Sequence, residues 1–139
     1  MRISALDIGT KYIGIAITDE MGTIPQPLET YKRGSLKEDL KFFDDFVEKF
    51  KIKKMIIGYP LHMDGNESKM SLFVKKFFNK LKHRWSDIEV LLWDERLTTE
   101  QSELILSTSK KKIREKKTLK DKIAASFILR SYLENNAIN

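Results

Sequence analysis

The sequence predicts an α/β protein built on a mixed sheet, and two observations carry that prediction. The first is an opening run of three short strand-like stretches separated only by turn residues, which makes an antiparallel meander. The second is the remainder of the chain, which reads helix-strand-helix-strand-helix-helix. Crossover helices join parallel strands, so the later strands should run parallel, with right-handed connections.

The first strand is Ile3-Ser4-Ala5-Leu6, an apolar run of the kind buried on both faces, ending at Asp7. A lone charge beside an apolar core is costly unless something binds it. A divalent cation or a phosphate-bearing substrate is a suitable partner, which makes Asp7 the anchor of a candidate site. The chain turns at Gly9, and Tyr12 to Thr18 forms the second strand. Asp19-Glu20-Met21-Gly22 is turn chemistry, and Thr23 to Tyr31 is a third strand that Pro25 and Pro27 push to an edge.

Ser35-Leu36-Lys37-Glu38 has the form of a capping box. Behind it Leu36, Leu40, Phe43, Phe46, Val47 and Phe50 recur at threes and fours, predicting a helix over about 35–51. Lys54 to Ile57 is a short buried strand closed by Gly58-Tyr59-Pro60. A loop with Asp64-Gly65 leads to a helix starting near Asn66 to Ser68. Its apolar face is Met70, Phe73, Val74, Phe77, Phe78 and Leu81, and its other face carries Lys69, Lys75, Lys76, Lys80, Lys82 and Arg84. Ile88 to Trp93 is a strand ending in Asp94-Glu95-Arg96, and Thr98 or Thr99 caps a third helix with Leu104 and Ile105 facing inward. The basic segment 109–117 has little apolar support and reads as a mobile loop. A last helix runs from about Thr118 to Glu134, with Leu119, Ile123, Phe127 and Ile128 on its buried side.

One domain over 1–139 is the expectation, because 139 residues suffice for a core without staples. With 41% hydrophobic and 33% charged residues the composition is that of a soluble globular protein. The absence of cysteine excludes disulfides, thiolate metal sites and thiol nucleophiles. No charged leader with an apolar core opens the chain and no run approaches membrane-spanning length, so a cytoplasmic address without membrane contact is expected. The net charge of +6, from 26 basic and 20 acidic residues, leans toward a polyanionic partner such as nucleic acid.

If the first strand runs with the strands at 54–57 and 88–93, Asp7 and Asp94-Glu95 emerge at one carboxyl edge, where open α/β sheets bind ligands. Asp7, Glu95 and Asp121 are the candidates for a shared cluster. Crowded carboxylates repel one another unless cations sit among them, and oxygen-only ligation suits Mg²⁺ or Mn²⁺ rather than zinc. Two such ions, roughly 3.5–4 Å apart, can activate water and stabilise the leaving oxygen of a phosphodiester. Plainer roles stay open at this point. Thr118-Leu119-Lys120-Asp121 also fits a capping box, Glu95 also suits an ion pair with Arg96 or Arg130, and Asp94 ranks below Glu95 as a turn or supporting residue. Asp19 and Asp64 are explained by their turns, and His62 and His83 read as exposed bystanders.

Four stretches carry a family resemblance: Asp7-Ile8-Gly9-Thr10-Lys11-Tyr12-Ile13-Gly14-Ile15-Ala16, Ile57-Gly58-Tyr59-Pro60, Asp94-Glu95-Arg96-Leu97-Thr98-Thr99 and Asp121-Lys122-Ile123-Ala124-Ala125. In order and spacing, over about 1–136, the chain resembles the YqgF/RuvX family. These are bacterial RNase H-like proteins described as pre-16S rRNA processing nucleases and as Holliday junction resolvases. The resemblance implies an RNase H-like three-layer fold, with a five-stranded mixed sheet of order 3-2-1-4-5 flanked by helices. It also implies a Mg²⁺-dependent nuclease site on Asp7, Glu95 and Asp121. Lys11 stands where many relatives have arginine, and the segment before the last helix is lysine-rich rather than glycine-rich as in some relatives.

The function these readings favour is metal-dependent hydrolysis of phosphodiester bonds in structured RNA, at the 5′ end of pre-16S rRNA in ribosome biogenesis. Lys11, Arg96 and the loop lysines Lys110, Lys111, Lys112, Lys116 and Lys117 would bind phosphates. The alternatives are a junction-resolving DNA endonuclease, which would need a homodimer to cut symmetrically, and a nucleic-acid-binding protein without catalysis. A nucleotide-binding relative of actin-like folds is a further alternative, but those proteins place nucleotide between two such domains and this chain has room for one.

Overall fold

The middle strand of the sheet is β1 (Arg2–Ile8), in a computed structural model that describes residues 1–95 and 113–137. β2 (Tyr12–Thr18) pairs antiparallel with β1, and β3 (Pro25–Lys32) pairs antiparallel with β2. On the other side β4 (Ile52–Tyr59) runs parallel to β1, and β5 (Glu89–Asp94) runs parallel to β4. The sheet order is therefore β3-β2-β1-β4-β5, as expected. The edge position of β3 suits Pro25 and Pro27, which have no N–H to give a ladder.

Three helices complete the described residues: α1 (Leu36–Lys49), α2 (Lys69–Arg84) and α3 (Ile113–Ala137). α1 starts at the predicted capping box, with the Ser35 hydroxyl accepting from the Glu38 N–H at 3.2 Å and Glu38 accepting from the Ser35 N–H at 3.0 Å. α2 is capped by a reciprocal Ser68–Ser71 pair of the same design. No helix among the described residues is long and apolar enough to cross a membrane.

The two faces of β1 are both buried, which is why its sequence is nearly continuous in apolar residues. Leu6 and Ile8 face a core with Phe43 and Phe46 of α1 and Val74 and Phe77 of α2. Ile3 and Ala5 face the opposite core, with Ala16, Ile56 and the α3 residues Ala125, Ile128, Leu129 and Tyr132. Each fully buried leucine or isoleucine contributes roughly 1.5–3 kcal/mol relative to exposure. Ala5 and Ala16 are small, so α3 lies close on its face of the sheet.

α3 departs from the sequence reading in two ways. It begins at Ile113, so 113–117 are helical rather than loop, and Thr118 lies inside the helix instead of capping it. The segment lacks an apolar face, but Ile, Arg, Glu and Lys form helix readily without one. The Thr30 hydroxyl also donates to the Thr118 carbonyl at 2.5 Å, tying this turn to β3. The buried stripe is Ala125, Ile128, Leu129 and Tyr132, at i, i+3, i+4 and i+7, while Leu119, Ile123 and Phe127 are half-buried. The predicted third helix with Leu104 and Ile105, and the segment 96–112 generally, lie outside the described residues.

Candidate active site

Asp7 is the penultimate residue of β1 and continues the Ile3–Ala5 face toward α3. Its partner in β2 is Gly14. In β4 the parallel ladder pairs Leu6 with Ile57, so Gly58 is the next step along. A side chain at Gly14 would overlap the backbone carbonyl of Asp121, and one at Gly58 would overlap the Glu95 carboxylate and the Ile128 side chain. The strands flanking Asp7 thus leave space on its face, and each space is entered by an element carrying an acid.

The other two acids are fixed by ordinary packing. Asp121 lies one turn before Ala125 on the buried stripe of α3. Its place inside the helix removes the capping role that the sequence left open. Glu95 follows β5, and its N–H donates to the Tyr59 carbonyl at 3.4 Å, carrying the β4–β5 ladder past the Tyr59–Asp94 pair. Trp93 locks this strand end to α3, donating to the Ser131 hydroxyl at 3.1 Å and packing edge-on against Tyr132.

The electrostatics match this crowding. Burial, then the negative charge of Asp121, pushes the Asp7 carboxyl from 3.8 up to about 7, against the opposing pull of Lys120. Burial, then Asp7, then Asp94 pushes Glu95 from 4.5 up to about 8. Asp7 is common to both pairs. Among the described residues no three acidic or imidazole side chains stand together as a ready-made ion cage. The acids meet pairwise around Asp7.

A cavity of about 260 Å³ opens here, lined by Asp7, Gly9, Thr10, Lys11, Tyr12 and Asp121. Lys11, the predicted phosphate contact, is exposed at this mouth. Its loop is held from behind by Arg33, which the sequence reading missed. The Arg33 N–H donates to the Lys11 carbonyl at 2.8 Å, and Nη1 donates to the Gly9 carbonyl at 3.0 Å. Nε donates to Asp39 at 3.0 Å, and the guanidinium sits 4.8 Å from the Phe77 ring centroid. Asp39 also accepts from the Tyr31 hydroxyl at 2.8 Å and the Gly34 N–H at 2.9 Å, so this buried charge is fully engaged.

Of the remaining candidates, Arg96, Lys110, Lys111 and Lys112 lie outside the described residues. Lys116 and Lys117 belong to α3 rather than to a loop. Asp94 is exposed and acts on Glu95 by its charge. His62 and His83 are exposed. Asp19 accepts from the Thr23 and Ile24 N–H groups at 2.8 Å each, and Asp64 from the Asn66 N–H at 2.9 Å, the turn roles expected of them. Gly58, expected to close its strand, lies inside β4, and Gly14 lies inside β2. The available signal was glycine inside a strand, which marks close approach by another element.

Comparison with known proteins bears on the family and the fold. Residues 1–135 match the family model described as "RuvX: Holliday junction resolvase". A protein of Syntrophus aciditrophicus named "Putative pre-16S rRNA nuclease" is 41% identical over 134 residues, covering 96% of this chain and 89% of its own. A protein of the same name from Carboxydothermus hydrogenoformans is 35% identical over the whole of both chains. Among solved structures, fowlpox virus resolvase with Holliday junction DNA aligns at TM-score 0.56 and 18% identity, over 98% of this chain and 99% of that one. Thermus thermophilus RuvC with a Holliday junction substrate aligns at 0.52 and 11%, over 96% and 97%. These likenesses show the RNase H-like fold.

Proposed function

This chain belongs to the RuvX family, and from that premise we propose that it is a metal-dependent nuclease processing the 5′ end of pre-16S rRNA. The observation that carries the reading is Asp7, electrostatically joined to Asp121 on one side and to Glu95 on the other. The donor set fits a hard dication. It is all carboxylate oxygen, and burial together with mutual repulsion disfavours its charged state until a cation sits among the acids. Asp7, Glu95 and Asp121 would hold Mg²⁺ or Mn²⁺, which when bound supplies an activated water and stabilises the leaving oxygen.

The chain's own groups do the rest. Lys11 meets a phosphate at the mouth of the cavity, as a point charge without the paired donors of arginine. Arg33 fixes the Gly9 and Lys11 carbonyls, so the loop does not have to be ordered when substrate arrives. In the free protein burial and neighbouring negative charge raise the affinity of Asp7 and Glu95 for protons, so these acids hold proton toward neutral pH. Phosphate contacts of this kind position a backbone without reading bases. Sequence selection then rests on RNA shape and 2′-hydroxyl contacts.

The test is cleavage of a 16S precursor transcript and of a four-way DNA junction, with Mg²⁺ or with chelator. Wild type should cut the precursor only with Mg²⁺, and Asp7→Asn should fold and bind RNA without cutting it. Cutting by Asp7→Asn at the wild-type rate would overturn the reading. Cutting of the junction alone would replace the RNA substrate by a DNA one, as the family description allows.

A further inference from the structure

We propose that the solvent face of α2 is a second nucleic-acid-binding surface, at which Lys69, Lys76 and Lys80 hold the phosphate backbone flanking the cleaved position. This rests on the nuclease reading and extends its substrate contacts beyond the acid cluster.

The first observation is where the charge lies. α2 contains six Lys and Arg residues and no Asp or Glu. Removing those six leaves twenty basic residues against twenty acidic ones in the rest of the chain, so the helix accounts for the whole net charge of +6. All six are exposed. Lys75 pairs with Glu67 at 3.7 Å and Arg84 with Asp44 at 2.7 Å, while Lys82 lies 5.6 Å from the Phe78 ring centroid. Lys69, Lys76 and Lys80 have no ion-pair partner among the described residues.

The second observation is that this charge does not serve the helix. Lys69 is in the first turn, where the helix dipole disfavours a cation, and that turn contains no acid to compensate. Positions 69, 76 and 80 share one stripe, about 16 Å from end to end at 1.5 Å per residue. A solvated helix needs no such row of unpaired like charges, whereas a polyanion does.

The third is continuity with the candidate active site. α2 begins after the carboxyl end of β4, the sheet edge at which Asp7 and Glu95 stand. Between α2 and the start of α1 lies a groove of about 230 Å³ lined by Arg33, Leu36, Phe73, Lys76, Phe77 and Lys80. Arg33 links the two places without lining the cavity: it lines this groove, packs on the Phe73 and Phe77 rings, and donates to the carbonyl of Gly9, which does line the cavity. α2 packs on the face of the sheet opposite to Asp7, so a strand leaving the Lys11 mouth would pass round the carboxyl edge of the sheet to meet Lys76 and Lys80. Such contacts are sequence-independent and set register on the substrate.

The experiment compares Lys76→Ala/Lys80→Ala with its parent in an Asp7→Asn background, measuring affinity for a 16S precursor RNA fragment between about 50 and 200 mM salt. Affinity should fall about tenfold and the slope of log K against log salt should shrink by about one to two. Lys76→Arg/Lys80→Arg should keep the parental slope, which separates lost charge from lost fold. Lys51→Ala/Lys53→Ala removes equal charge at the opposite end of the sheet and should also keep it. Unchanged affinity and slope in the α2 variant, or an equal change in the Lys51/Lys53 variant, would overturn the surface while leaving the nuclease reading intact. Failure of the Asp7→Asn parent itself to bind RNA or DNA would overturn both.

Discussion

Asp7 and Gly14 face each other across the β1–β2 ladder, and only the missing side chain of Gly14 lets the main chain of Asp121 reach the sheet at that point. The approach of α3 to the acid cluster is therefore set by a residue with no chemistry of its own. Because the obstacle to a Cβ is backbone, Gly14→Ala cannot be absorbed by a rotamer change, and α3 must shift. The expected loss is about 1–3 kcal/mol in urea unfolding, with a matching fall in cleavage. A loss below about 0.5 kcal/mol would show that this end of α3 is not seated on β2.

Gly58 differs in kind, because its neighbours are the ends of two side chains, Glu95 and Ile128. These can rotate aside, so Gly58→Ala should lower stability by only about 1 kcal/mol. The displaced Glu95 carboxylate should nevertheless lower cleavage at least tenfold, roughly the effect of 1.4 kcal/mol on a barrier. Equal losses at Gly14 and Gly58 would contradict the distinction between a backbone obstacle and a movable one.

Asp7 and Glu95 both titrate higher in the folded protein than their ordinary values of 3.8 and 4.5, at about 7 and about 8. Between about pH 4 and pH 8 the native state thus binds more protons than the unfolded chain, and this contribution to stability is lost as pH rises. In chelator, Asp7→Asn should be more stable than wild type at pH 8, on the order of 1–3 kcal/mol, with the difference vanishing below about pH 4. Mg²⁺ should raise wild-type stability at pH 8 and leave Asp7→Asn nearly unmoved. A wild type as stable as Asp7→Asn at pH 8 in chelator would show that the acids are not in conflict.

The Arg33–Asp39 pair is 3.0 Å apart, with side-chain exposures of 11% and 1%. Asp39→Ala strands a guanidinium that also holds the Gly9 carbonyl, and should cost about 3–5 kcal/mol. Replacing both partners by apolar residues, Arg33→Met/Asp39→Leu, should recover only part of that stability, since the Tyr31 hydroxyl and Gly34 N–H lose their acceptor. It should not restore cleavage, because the Gly9 carbonyl loses its guanidinium donor while the backbone bond to Lys11 stays. Chemical denaturation and a cleavage assay on the same three proteins check this. Full cleavage by the double variant would show that the loop holds itself.

The strands and the first two helices were legible because their signals are local: alternation and turn residues for β1 to β3, reciprocal caps and i, i+4 spacing for α1 and α2. Asp7 was legible for the same reason, as one charge at the end of an apolar run. The start of α3 was misread because helix propensity without an apolar face resembles loop. Tertiary structure alone decided where Asp121 sits. Its four-residue context fits a cap, and only the upstream extension of α3 and its seating on Gly14 turn it toward Asp7. Arg33 gave no signal, since its partners are a carbonyl, a carboxylate and two rings brought from separate elements. Periodicity reports which face of an element is buried. How closely two faces approach depends on side chains that are absent, and that is settled only when the elements pack.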